Sequence, residues 1–193
     1  ANNRSKRPSG DLIPWTIERH YSNPAFAQKT GFRIVRVSVH PKMQGHGYGS
    51  AAIRQLIECF SKGEHRSPEP HRELLIDLSE VDHPAFDYSG VSFGLTMPLL
   101  RFWKQNGYEV VDIAQKPNSS TGEHSTIVLH PITGDISEIH DEFRRRFLNL
   151  LGREFSEMPP ALVTTILFTS FSANRLNLEQ VVRESDIERL RGY

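Results

Sequence analysis

The run Gln44-Gly45-His46-Gly47-Tyr48-Gly49-Ser50 is the first place in this sequence where residue type and spacing suggest chemistry. Glycine tolerates backbone conformations closed to other residues, so several together let successive amide N–H groups converge on one anion. Three phosphate-binding patterns use that property. A dinucleotide fingerprint needs G-x-G-x-x-G, but Gly45, Gly47 and Gly49 alternate, which misplaces the third glycine. A P-loop ends in Gly-Lys-Ser/Thr, and this run holds no lysine. The third pattern, Q-x-x-G-x-G, is matched by Gln44, Gly47 and Gly49. At the start of a helix such a turn adds about half a positive charge to its amide donors, and it would hold a pyrophosphate. The competing reading is a tight turn and nothing more; the strand before it, the helix after it and the leading glutamine favour the anion site.

Such a turn needs a strand and a helix to hold its ends. Residues 32–39 read Phe-Arg-Ile-Val-Arg-Val-Ser-Val, and their β-branched enrichment predicts a strand that His40-Pro41 ends. Apolar residues at helical spacing predict a helix over 49–61, and the charged, Pro-containing stretch 62–72 reads as an exposed loop. A second strand is expected at 73–78, a helix at 95–106 stopped by Gly107, and strands at 108–113 and 125–129. The alternation is that of an α/β fold. After Gly134 the character changes to an amphipathic helix at 136–151, an apolar segment at 161–168 beyond Pro159-Pro160, and a charged helix at 178–190. We place a boundary near Thr133-Gly134, giving an α/β domain over 1–134 and a helical region over 135–193.

The sequence resembles a known family in several places at once. Q-x-x-G-x-G after a strand is the acetyl-CoA motif of the GNAT acyltransferases. The longer string from Arg33 through Pro41, followed by Gln44 to Ser50, is similar to the RNA cytidine acetyltransferases within that group. Further similar strings are Ser9-Gly10-Asp11-Leu12-Ile13-Pro14-Trp15, Gly90-Val91-Ser92-Phe93-Gly94-Leu95-Thr96 and Leu100-Arg101-Phe102-Trp103-Lys104. Thr121-Gly122-Glu123-His124-Ser125 and Arg144-Arg145-Arg146-Phe147-Leu148 complete the set, so the likeness covers nearly the whole chain.

The resemblance implies a GNAT mixed sheet flanked by helices, followed by a small helical tail, with the first strands of that fold lying upstream of this chain. It implies acetyl-CoA bound by backbone groups of Val37, Ser38 and Val39, with phosphate contacts from Gln44, Gly45, His46, Gly47, Tyr48, Gly49 and Ser50. Relatives carry a basic side chain near the cofactor at the position of Lys104 or Gln105; if Gln105 is the match, that charge is absent here. His124 is implied beside the reaction centre as the base, since imidazole titrates near neutral pH; the alternative is a residue that merely starts a strand. His40 is a weaker candidate at a strand end. An indole at Trp103 cannot protonate a departing thiolate, and Cys59, among apolar neighbours, reads as packing in an enzyme that transfers directly. The reaction implied is acetylation of cytidine N4 in tRNA and 18S rRNA, within a larger enzyme of ribosome biogenesis whose ATP site belongs to a helicase-like module outside this chain. A tRNA adaptor protein, a homodimer, and a nucleolar location (cytoplasmic in bacteria) also follow from the family. Two other readings stay open: a GNAT acting on protein lysines or small amines, and a non-catalytic scaffold.

Composition sets limits. Lys+Arg and Asp+Glu both count 23 in 193 residues, so any RNA must meet a local patch rather than a global charge. The triple arginine 144–146 with Arg153 could be one, or a solvated helix face, because Asp141, Glu142 and Glu154 lie among them. One cysteine excludes an internal disulfide and a multi-cysteine zinc site. The histidines at 20, 65, 71, 83, 130 and 140 show no ligand spacing, so no metal is expected. No apolar run approaches the roughly 20 residues that span a bilayer, and the expectation is a soluble intracellular protein with no membrane partner.

Overall fold

The computed structural model describes residues 12–23, 25–61 and 85–168. The strand expected at 73–78 and the helix expected at 178–190 lie outside the described residues. The described elements run α1 (Leu12–Tyr21), β1 (Gly31–Arg33), α2 (Tyr48–Ser61), β2 (Tyr88–Gly94), α3 (Met97–Gln105), β3 (Glu109–Ile113), β4 (Ser125–Pro131), α4 (Ser137–Leu151) and α5 (Pro160–Leu167). The strands form one mixed sheet in the order β1-β2-β4-β3. β1 and β2 are parallel, joined across α2, while β4 runs antiparallel to both its neighbours. This is the α/β architecture the sequence predicts.

Two differences from the expectation bear on function. The Val-x-Val-x-Val pattern predicts a strand over 32–39, but only Gly31–Arg33 is in the ladder. The last rung is Ile34 N–H to Gly90 O at 3.0 Å; from there the chain leaves β2. Alternating β-branched residues signal extended backbone, not the identity of the partner. The other difference is β2 itself, which the sequence presents as loop because two glycines and two serines are poor strand formers. It nonetheless lies in the sheet interior. Gly90 leaves room for Ile13 and Leu129, which a Cβ would strike, and the buried Ser89 hydroxyl is matched by the Tyr108 hydroxyl at 2.7 Å. Burial pushes the Tyr108 phenol up to about 12, so it stays protonated and able to donate.

Side chains alternate between the sheet faces, and each face has its own core. Ile127 and Leu129 join Ile13 and Ile17 of α1 on one side. Val128 and Val110 join Ile53 of α2, Leu100 and Trp103 of α3, and Leu162 and Ile166 of α5 on the other. α4 serves both, giving Ile139 to the first cluster and Phe143 and Phe147 to the second. It thus covers β3, the edge strand, and so removes a row of backbone groups from solvent. Thr133-Gly134 is the turn between β4 and α4, and residues on both sides of it share one core.

Candidate functional site

The departure of residues 34–40 from β2 opens a wedge in the sheet. Its walls are Val35, Arg36 and Val37 on one side and Val91, Ser92 and Phe93 on the other, and its floor is Phe102 and Trp103. The cavity measures about 690 Å³, within the usual range for a small-molecule site. Its rim holds most of the large apolar side chains left exposed in the described chain: Val35 at 75%, Tyr48 at 54%, with Val37, Met43 and Leu99. Apolar surface gathered around one cleft marks a binding site rather than scattered exposure.

The glycine turn closes the open end of the wedge. Pro41–Met43 forms one turn of 3-10 helix, capped by His40, whose Nδ1 accepts from Lys42 N–H at 3.3 Å. Gln44 Nε2 then donates to Val39 O at 3.1 Å, tying the turn to the end of the extended segment. Gly45 and Gly47 hold φ of +79° and +86°, where an L side chain is strained. Ala51 N–H bonds to Gly47 O at 2.9 Å, starting α2 at once, so the first amides of the helix have no acceptor within it. Gly49 faces the Phe102 ring, with an added Cβ only 3.4 Å away, so α2 begins close against α3.

Most of the residues expected at the cofactor gather here: Val37, Val39, Gln44, Gly45, Gly47, Tyr48, Gly49, Ser50 and Gln105 all line the cavity. Ser38 does not. Nor does His46, whose ring bonds Gln44 O at 3.0 Å. Lys104 and Gln105 are placed differently. Gln105 is exposed at the cavity, whereas Lys104 Nζ is bound to the buried Glu109 Oε2 at 2.9 Å and to Phe168 O. His124 is not on the cavity wall. It stands half-buried just before β4, its Nδ1 donating to Ala114 O at 2.8 Å and its ring edge-on to Phe155. Its own carbonyl accepts from Leu95 N–H at 2.8 Å, which places it one strand over from the end of β2.

Sequence reasoning missed Arg36, Ser92, Phe93, Leu99 and Phe102 as lining residues. Three of them sit on β2 or face the wedge it forms, and no wedge is foreseen where β2 is read as a loop. The triple arginine is dispersed. Arg144 is buried, Arg145 pairs with Glu142, and Arg146 donates to His20 O at 3.2 Å and lies over the Tyr21 ring. Among the described residues there is no cluster of metal-ligating side chains, and no helix is long and apolar enough to cross a membrane.

Comparison with known sequences bears on the same region. The model of the family described as GNAT acetyltransferase 2 matches residues 1–73 and 61–133. A human protein named RNA cytidine acetyltransferase is 36% identical to this chain over 98% of it and 23% of its own length. Proteins of the same name from Saccharomyces cerevisiae and Achlya ambisexualis are 30% and 33% identical, over 98% and 79% of this chain. They are covered for 23% and 51% of their own lengths, and the chain spans about a quarter of the human and yeast relatives.

Proposed function

The chain belongs to the GNAT acetyltransferase 2 family, and from that premise we propose that it is the acetyl-transferring region of an RNA-modifying enzyme, moving acetyl from acetyl-CoA to N4 of cytidine in tRNA and 18S rRNA. One observation carries the reading: a stretch of chain that no described strand pairs and a turn of glycines at a helix start meet in a single cavity. The wall suits acetyl-CoA part by part. The amides of Gly45 to Ser50 suit its diphosphate. The backbone of Val37 and the N–H of Val39, which no described strand pairs, suit the amides of its pantetheine arm, taken up as an added strand. The apolar floor of Phe102 and Trp103 suits the arm's methylenes. Bound there, acetyl-CoA supplies an acetyl group already activated as a thioester.

The chain's own task is then to accept a proton from a weakly nucleophilic amine and to steady the charge that develops. We assign the proton to His124. A carbonyl oxygen only accepts, so the bond to Ala114 O fixes the proton on Nδ1 and leaves the Nε2 lone pair free to act as the base. A cytidine entering past Phe93, at the end of β2, comes toward that ring. Trp103 offers no acid for the thiolate, and that step falls to water or to an element outside this chain. The ATP-dependent module, a tRNA adaptor, a homodimer, a part in ribosome biogenesis and a nucleolar location belong to the proposal for the whole protein.

Incubating the full-length protein with acetyl-CoA, ATP and tRNA or small-subunit rRNA should give N4-acetylcytidine, read by mass spectrometry of the digested RNA. His124→Asn should lower kcat by about 10²–10⁴-fold with acetyl-CoA affinity unchanged. Absence of acetylcytidine from the unmodified protein, with acetylation of a peptide lysine in its place, would overturn the RNA assignment.

A further inference from the structure

Among the described residues lining the cavity, Arg36 is the one charged side chain. It is exposed, and among the described residues it makes no ion pair or side-chain hydrogen bond. Its position along the wedge decides what it can serve. Arg33 still pairs with Gly90, and Ile34 N–H makes the last rung, so Arg36 stands two residues beyond the apex. The amide turn lies at the opposite, open end, tied to Val39. An acyl donor anchored by its diphosphate at the turn therefore has its acyl end, not its phosphates, beside Arg36. An exposed guanidinium carried at that position is within reach of whatever approaches the acyl group.

We propose that Arg36 is the acceptor clamp of this site: its guanidinium binds a backbone phosphate of the polynucleotide whose base is acetylated. The proposal rests on the acetyltransferase reading above and extends it to the acceptor. Guanidinium is the side chain best matched to a phosphate, donating two parallel N–H bonds without losing its charge. A phosphate flanking the target base is the anion that an RNA acceptor necessarily brings to the mouth of the wedge. A lysine or a small amine would bring a positive charge instead, which Arg36 repels. The clamp thus also selects between acceptor classes.

The test uses the full-length protein with Arg36→Gln and Arg36→Lys. Calorimetry should give the same acetyl-CoA affinity for both variants and the unmodified protein. In Arg36→Gln the KM for RNA should rise roughly tenfold, and the slope of log KM against log salt should fall by about one, the signature of one lost phosphate contact. Arg36→Lys, which keeps the charge, should keep the slope. Weaker acetyl-CoA binding with KM for RNA unchanged would assign the guanidinium to the cofactor and overturn the proposal. A fall in kcat alone would assign it to the acyl oxygen, and no change in any quantity would make it a solvated side chain; either result overturns the proposal. If the unmodified protein fails to bind acetyl-CoA or to acetylate RNA, the parent reading falls, and this one with it.

Discussion

Gly45 and Gly47 carry positive φ with open space where a side chain would project, whereas Gly49 sits in ordinary helical backbone against Phe102. The three glycines therefore do different work, and substitution separates them. Gly47→Ala should strain the turn by about 1 kcal/mol and weaken acetyl-CoA only modestly. Gly49→Glu has its Cβ in ordinary contact with the Phe102 ring and brings a carboxylate into the wall proposed to hold a diphosphate. Calorimetry should show acetyl-CoA binding abolished in that variant, with a melting temperature close to that of the unmodified protein. At this scale much of the site was legible: the spacing of Gln44, Gly47 and Gly49 pointed to the turn that forms. What spacing could not convey was which way each side chain faces. Ser38 and His46 lie in the right strings yet off the wall, and the structural task of Gln44, holding Val39 O, appears only once the chain has turned back on itself.

Elements show a different balance between what sequence gives and what packing adds. α3 and α4 were legible from their apolar spacing, yet the polar group they enclose was not. Glu109 is 1% exposed and meets Lys104 at 2.9 Å, with His140 Nε2 at 3.8 Å and the buried Arg144 nearby. Lys104 thus ties α3 to β3, and removing its charge takes one of its partners from a buried carboxylate. Burial first, and then the Arg144 and Lys104 charges, push His140 down to about 4. Unfolded histidine titrates near 6.5. Between those values the unfolded chain binds the extra proton, so the stability held above pH 6.5 is lost progressively as pH falls toward 4. Chemical denaturation over that range should show the decline, and His140→Gln should flatten it. β2 was the element least legible in sequence. Gly90 and Ser89 are tolerated because Ile13 and Leu129 fill the space at the glycine and Tyr108 meets the serine hydroxyl, information held in distant residues.

Considered whole, the chain changes character at Gly134 while its core does not. Phe143 and Phe147 of α4 and Phe155 beyond it close the cluster that also contains Trp103, Tyr108 and Val110. Composition registers the shift from alternating strands to helices, but it cannot register which helix faces complete a core begun earlier. We expect a chain ended after Gly134 to lose cooperative thermal unfolding by circular dichroism, since β3 would lose the helix that covers it. Phe147→Ala, at 1% exposure, should cost about 3–5 kcal/mol in denaturant titration.

The parting of the chain from β2 after Ile34 has a consequence for handling the protein without its ligand. Two lengths of main chain stand apart, with no ladder bonds across the slot between them among the described residues, and Val35 and Val37 are exposed beside it. To any other polypeptide in extended form that slot is a template, so the ligand-free state is the one most exposed to strand-by-strand self-association. Acetyl-CoA, the ligand proposed above, would then guard the protein against self-association as well as supply the acetyl group.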